Sequence, residues 1–299
     1  MQDDITQWPV FAGVDWGGEN HQLCVVAPDG TQVLQTRVSH DVAGLHQLDQ
    51  HLTRFAARLP VAIERTEGLL VEHLQAAGHA VFPVSPRIAA RARERYKVAS
   101  VKDDRFDAFV LADTLRYEHH HWRALAVPSP LLAEIKALTR DRDRLLATQQ
   151  TIESQLRMIL EAYHPAPARL FSSVDRQITL SFVNDYPTPA NASRVKTTRM
   201  AGFLTRHHYT GRVPAQTLAD RLRQNLLSGA PGTVAGKSFS ALAFTQVLQL
   251  LNTQLAEFDD AIAAATAEHP DAKIFASFPG IGGRRSTREK SEGLGSNDE

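Results

Sequence analysis

Pro9-Val10-Phe11-Ala12-Gly13-Val14-Asp15 is a short apolar run that ends on a carboxylate. So short a run fits a strand, and an acid at its end suits the rim of a sheet better than a core. Outward from it, His21 to Ala27 is a second apolar run, Asp29-Gly30 supplies a hairpin turn, and Gln32 to Val38 reads as a third strand. Three strands on short connections make a meander. A helix is expected from about Val42 to Leu59, where Leu45, Leu48, Leu52 and Phe55 keep helical spacing. Val61-Ala62-Ile63-Glu64 is a fourth strand and again ends on an acid. Leu69 to Ala77 is the next helix, closed by Gly78, and Ala80 to Val84 is a fifth strand. Pro86 opens a basic helix to about Lys97, and a last helix runs from about Asp103 to Tyr117.

Three antiparallel strands followed by alternating helix and strand is the order of elements in an α/β RNase H-like fold. Periodicity alone supports a mixed α/β domain, and the narrower assignment rests on the carboxylates. Asp15 and Glu64 each end a strand, while Asp104 and Asp107 stand three apart and share one face of a helix. Four clustered carboxylates repel one another unless cations neutralise them. Hard oxygen ligands suit Mg²⁺ or Mn²⁺. Two such ions about 3.5–4 Å apart can stabilise the attacking and leaving oxygens of a phosphodiester displacement.

Gly13-Val14-Asp15-Trp16 with His21 downstream, Ala62-Ile63-Glu64, and Lys102-Asp103-Asp104-Arg105-Phe106-Asp107-Ala108 resemble the DEDD motif blocks of the insertion-sequence one-ten family of transposases. The resemblance implies a RuvC-like, Mg²⁺-dependent catalytic domain with Asp15, Glu64, Asp104 and Asp107 as its catalytic, metal-binding tetrad. The family pattern has Thr or Ser before the third acid, where this chain has Asp103. That leaves Asp103 as the alternative register; Asp104 is preferred because it alone stands three residues before Asp107.

The resemblance runs from about residue 11 to 282. Its last stretch, from His269 to Gly282, is similar to the start of the family's C-terminal transposase domain and ends in Pro279-Gly280-Ile281-Gly282. Gly280 and Gly282 in such a turn would let backbone amides approach DNA phosphates. In the family an apolar helix follows, with a serine nucleophile further on. Here the residues from Gly283 to Glu299 are polar, with Leu294 the only large apolar side chain, so a disordered tail is expected. Ser286, Ser291 and Ser296 do not match the serine position, and the pattern looks like a frameshift or a truncated gene copy, expected to be unable to complete strand transfer. The resemblance further implies strand exchange at insertion-sequence DNA ends, a transient serine–DNA link, a guide RNA, and a homodimer or tetramer.

Between the two ends, Ser129-Pro130 starts a helix that runs to about Tyr163. Leu131, Ile135, Leu138, Leu145, Ile152, Leu156 and Ile159 form a heptad seam interrupted by Arg142 and Gln149. Such a coiled-coil-type helix, about 50 Å long, calls for an antiparallel hairpin or a dimer. Asp185 to Pro189 reads as a linker-like break after a short helix, Pro231 to Gly236 as a loop, and Phe239 to about Ala267 as a second long helix. The expected organisation is therefore a RuvC-like domain over 1–125 and a long helix with a basic helical region over 129–236. The start of the C-terminal domain over 237–282 and the tail over 283–299 complete it.

Lys and Arg balance Asp and Glu at 33 each, but the charges are segregated. Arg87 to Lys102 carries six basic residues against one acid, and Ala192 to Gln224 carries seven against one. Arg87, Arg91 and Arg95 make a stripe at four-residue spacing, and Arg194, Lys196 and Arg199 head the second cluster, with Phe203 and Tyr209 interleaved. Such cations neutralise phosphates and such aromatics can stack on bases, so DNA is the expected partner of both clusters. Cys24 is the only cysteine, in an apolar run, so no disulfide can form within the chain. There is no signal-peptide pattern and no long apolar run, which points to the cytoplasm and away from a membrane.

Asp15-Trp16-Gly17-Gly18 would also suit a sugar kinase or actin-like ATPase, but the second Asp-containing, Gly-rich phosphate loop such folds need is missing. A RuvC-like structure-specific nuclease would share the tetrad without needing the long helices. A non-catalytic nucleic-acid-binding remnant is the third alternative.

Overall fold

In the computed structural model, which describes residues 8–96 and 103–277, the quoted stretch becomes strand β1 (Phe11–Trp16). It is followed by β2 (Asn20–Val26) and β3 (Gln32–Ser39), which complete an antiparallel meander. Gly30 turns the second hairpin at φ +90°, and the Asp29 carboxylate accepts from the Thr31 amide at 2.8 Å. α1 (Val42–Thr53) then crosses to β4 (Pro60–Ile63), which lies parallel to β1. α2 (Leu69–Ala76), β5 (Ala80–Pro83), α3 (Pro86–Glu94) and α4 (Asp104–Glu118) finish this half. The sheet order is β3-β2-β1-β4-β5, a mixed five-stranded sheet compatible with an RNase H-like fold.

Alternation along β1 decides what each face holds. Ala12 and Val14 point into a core with Leu48 and Leu52 of α1 and Leu70 and Leu74 of α2. Phe11 points the other way, into a core with Ala108, Leu111, Ala112 and Leu115 of α4. Helices thus cover both faces.

Helix α1 ends at Thr53, six residues short of the sequence expectation. Pro60 disfavours helical backbone at Leu59, and the chain must already be extended there to feed β4. Phe55 still packs against the core from the connecting turn. Lys97, the expected end of α3, lies outside the described residues.

The chain divides into two compact units, Met1–Val127 and Pro128–Glu299. Among its described residues the second is helical. α5 (Pro130–Tyr163) is capped by the Ser129 side chain and opened by Pro130. α6 (Ala166–Leu170), α7 (Gln177–Asp185), α8 (Pro189–Ala192), α9 (Thr197–Arg206) and α10 (Ala215–Gln224) form a small bundle around Phe182, Met200, Phe203 and Leu218. α11 (Pro231–Ala267) and the short α12 (Ala272–Ser277) follow.

Asp185 to Pro189, expected as a linker, is a tight turn inside this unit, pinned by a 2.8 Å hydrogen bond from the Tyr163 hydroxyl to the Pro187 carbonyl. Pro231 to Gly236, expected as a loop, is the first part of α11. Proline at the first helical position lacks only an N–H that would be unpaired there. Val234, between the two glycines, packs against a buried cluster that also holds Ala241 and Leu248.

The two long helices pair antiparallel within the chain. Arg142 Nε donates to Asp259 at 2.6 Å, and Gln149 Nε2 donates to the Asn252 side-chain oxygen. The two residues that interrupt the apolar seam of α5 thus each meet a polar partner on α11. Toward the other end of α5, Leu156, Leu160 and Tyr163 are fully buried, whereas Leu131, Ile135 and Leu138 are only half-buried.

Candidate functional site

The register of β1 with β4 sets Val14 beside Ile63, so Asp15 follows that pair in β1 and Glu64 follows it just past the end of the parallel neighbour β4. Strand alternation puts Asp15 on the side of Phe11, which faces α4, and Glu64 shares a contact to Arg93 with Asp107 of that helix. Gly13 lets the helix come close, since a Cβ there would stand 2.2 Å from the Ala108 carbonyl oxygen and 2.4 Å from the Ala112 nitrogen. With α4 this near, Asp107 is lowered against the sheet and only 6% exposed.

The Asp103 carboxylate accepts from the Arg105 amide at 3.1 Å and caps α4. Asp104 is the first helical residue and is exposed, one turn before Asp107. Of the four acids singled out from sequence, Asp15 and Glu64 each follow the Val14–Ile63 pair of β1 and β4, and Glu64 and Asp107 are tied through a common cation. Asp104, exposed at the start of α4, is not tied to the other three by any contact among the described residues.

That common cation is Arg93. Its Nε donates to Asp107 Oδ1 at 2.6 Å, and its Nη2 lies 3.6 Å from Glu64 Oε1. Among the described residues no three His, Cys, Asp or Glu side chains converge closely enough to hold a metal ion as they stand. Arg93 was not singled out from the sequence beyond its share of a basic helix. A signal was present: Ala89, Ala92 and Arg93 occupy one helical face, the two alanines are buried, and a charge on that face needs a partner.

A second buried acid on α4 also escaped the sequence reading. Asp113 accepts from the Tyr96 hydroxyl and from Arg116 Nε, the latter at 2.8 Å. Burial and the neighbouring Asp113 push the Tyr96 hydroxyl well above its ordinary pKa. Cys24 is fully buried as expected, and burial with the nearby Asp113 raises its thiol to about 12, which keeps it protonated and unreactive.

At the start of β2, His21 is completely buried and shares a 2.8 Å hydrogen bond with His40. Burial first, and the nearness of His40 second, lower its pKa to about 4.

The basic residues separate into free and occupied ones. Arg87 and Arg91 project from α3 into solvent without an ion-pair partner among the described residues, whereas Arg95 at its end reaches Glu118 at 3.4 Å. Arg194, Lys196 and Arg199 are exposed and likewise unpaired among the described residues. Arg206 pairs with Asp185, and Arg221 donates to the Leu170 carbonyl. Phe203, expected to be available for stacking, is fully buried at the centre of the helical bundle, because its helix needs an apolar face to pack at all. Tyr209 is half-buried, 5.7 Å from Phe171, in a cleft of about 620 Å³ that Arg176, His208 and Arg212 also line. Gly280 and Gly282 lie outside the described residues, as does the polar tail. No helix among the described residues is long and apolar enough to cross a membrane.

Residues 12–165 match the DEDD family model of IS110 type, whose description is "Transposase". The chain is 33% identical over 294 residues to a Streptomyces coelicolor protein named as a candidate transposase of the IS117 mini-circle. That match covers 94% of this chain and 70% of the relative. It is 31% identical to the candidate transposase y4uE of Sinorhizobium fredii, over 66% of this chain and 56% of that one. It is also 28% identical to the uncharacterised 42 kDa protein of insertion element IS900 from Mycobacterium paratuberculosis, over 92% of this chain and 69% of the relative. The chain belongs to the IS110 family of insertion-sequence transposases.

Proposed function

We propose that the chain handles DNA during transposition of an insertion sequence, through a carboxylate site on an RNase H-like sheet and cationic faces that hold the phosphate backbone. The observation that carries this reading is that Asp15 near the end of β1 and Glu64 just past the end of its parallel neighbour β4 each follow the Val14–Ile63 pair, while Arg93 joins Glu64 to the buried Asp107 of α4. Carboxylates from three separate elements are directed to one end of the sheet, two of them, Glu64 and Asp107, joined through Arg93.

Such a set asks for positive charge. Its donors are carboxylate oxygens, which fit a hard divalent cation such as Mg²⁺ or Mn²⁺. Asp15, Glu64 and Asp107 would hold the ion, with Asp104 at the outer edge. When bound, the ion would stabilise charge on the oxygens of a phosphodiester undergoing displacement. The chain's own contribution is positional: the β1–β4 register and the approach of α4 fix where the carboxylates stand. Arg87 and Arg91, with Arg194, Lys196 and Arg199, supply sequence-independent contacts to phosphate. A guide RNA would meet the same cationic faces with the same backbone chemistry.

Thermal melts with and without millimolar Mg²⁺ test the site, because a ligand bound only by the folded state raises stability. The melting temperature should rise with the ion, and Asp15→Asn combined with Asp107→Asn should abolish the rise. An unchanged melt of the parent chain would overturn the metal reading. Binding to duplex DNA should weaken steeply with salt, and Arg87→Glu with Arg91→Glu should flatten that slope.

A further inference from the structure

Arg93 reaches its position from a helix whose other cations face water. Ala89 and Ala92 fix the packed face of α3, and Arg93 leaves that face toward the end of the sheet. Its Nε bond to Asp107, at 2.6 Å, joins a charged donor to a carboxylate whose side chain is only 7% exposed. A buried carboxylate without a partner would be strongly disfavoured, and among the described residues Arg93 is the cation that partners Asp107. Its Nη2 lies 3.6 Å from Glu64, which places one guanidinium between two of the acids that the proposed metal would use.

The arginine is not locked in. Its side chain is 36% exposed, and the Glu64 side chain 32%, so the guanidinium borders solvent and can leave without opening the core. No three acidic or imidazole side chains among the described residues converge on one point, and Arg93 is what stands between two of them.

We propose that Arg93 is the resident counter-cation of the carboxylate site, and that a divalent ion binds by displacing it from Asp107 and Glu64. This rests on the metal reading above and adds a competitor from the chain itself. A metal ion must then break a charge-assisted hydrogen bond before it gains its own ligands, which weakens its binding. The guanidinium thereby offsets part of the negative charge of the site and keeps Asp107 partnered when the ion is scarce.

The test is Mn²⁺ binding, followed by isothermal titration or by the paramagnetic resonance of the free ion, in the whole chain and in three variants. Arg93→Gln removes both charge and competitor, Arg93→Lys keeps the charge without the planar Nε–H, and Arg123→Gln removes an exposed charge elsewhere. Arg93→Gln should bind Mn²⁺ about tenfold tighter or more than the parent, the scale of one charge-assisted hydrogen bond. Arg93→Lys should fall between them, and Arg123→Gln should match the parent. Without metal, Arg93→Gln should also melt at a lower temperature, and Mn²⁺ should raise it further than it raises the parent.

Should Arg93→Gln fail to fold without metal, the arginine Nε–H resonances of the parent chain give the same answer. One of them, assigned by its loss in Arg93→Lys, should be protected from solvent exchange without Mg²⁺ and lose that protection when Mg²⁺ is added. Equal Mn²⁺ affinity in the parent and a folded Arg93→Gln would overturn the displacement proposal and leave the metal reading standing. An Nε–H that stays protected at saturating Mg²⁺ would do the same. If neither chain binds Mn²⁺, both readings fall together.

Discussion

Gly13 and Ala108 stand so close that a Cβ on the glycine would lie 2.2 Å from the Ala108 carbonyl oxygen. No side chain fits between the centre of β1 and the second turn of α4. The contact is backbone against backbone, so no rotamer change can relieve it. It fixes the height of α4 over the sheet, and with it the depth of the adjacent Asp107.

Gly13→Ala should therefore lift α4 and cost about 3 kcal/mol, toward the upper end for overpacking a tight core. Urea unfolding of the N-terminal half, followed by its own fluorescence or exchange signal, measures this. A loss below about 0.5 kcal/mol would show that the helix can be displaced cheaply.

Acid should destabilise the same half through His21. Its folded-state pKa is lowered from 6.5 to about 4 by burial and by His40. The unfolded chain therefore takes up a proton in a window where the folded chain does not. The stability from a neutral His21 is fully present above about pH 6.5 and is lost as the pH falls toward 4. One such group is worth about 1–2 kcal/mol between pH 7 and pH 5. His21→Asn should make the pH dependence of the urea midpoint shallower over that range, and an unchanged slope would place the proton uptake elsewhere.

The pair Arg142–Asp259 should couple weakly but measurably. Arg142 is 18% exposed and Asp259 48%, so solvent screens much of the attraction. A double-mutant cycle with Arg142→Ala and Asp259→Ala should return about 0.5–1 kcal/mol. Zero coupling by chemical denaturation would mean that the contact contributes nothing to the hairpin.

Phe203→Ala should destabilise the helical bundle by about 3–5 kcal/mol, as expected for a fully buried aromatic. Tyr209→Ala should cost much less stability, because its ring is already part-solvated. If nucleic acid stacks in this region, only the Tyr209 change should weaken binding without unfolding the bundle. Melting curves and single-strand binding, run side by side, separate the two roles.

These elements differ in how openly the sequence announced them. The strands and the first helix faces were readable because short continuous apolar runs, as from Phe11 to Val14, and apolar residues at spacing three to four, as from Leu45 to Leu52, report directly on burial. The end of α1 was not, since Phe55 keeps the helical spacing while Pro60 dictates the backbone before it. The start of α11 was obscured for the opposite reason: Pro231, Gly232 and Gly236 carry a loop composition that the first turns of a helix can also use. Asp15 and Glu64 stood out as charges ending apolar runs, and Asp104 with Asp107 as a pair three apart on one helix; the burial of Asp107 was not legible there. Arg93 was hidden among five other basic residues, because only tertiary packing tells which of them turns inward. Phe203 was misjudged for the same reason, as an aromatic in a basic stretch looks alike whether it faces solvent or the bundle.

The polar pairs between α5 and α11 have one more consequence. Arg142 and Gln149 are seven residues apart, as are their partners Asp259 and Asn252, so the pairs step together in opposite directions along the two helices. Were the helices to slip by that one repeat, either Ile135 would face Asp259 and Gln149 would face Thr245, or Leu156 would face Asn252. Either slip would strand a charge or an amide against carbon. The hairpin is thus keyed to a single alignment, and its far end is held at a fixed reach from the bundle beside Tyr163.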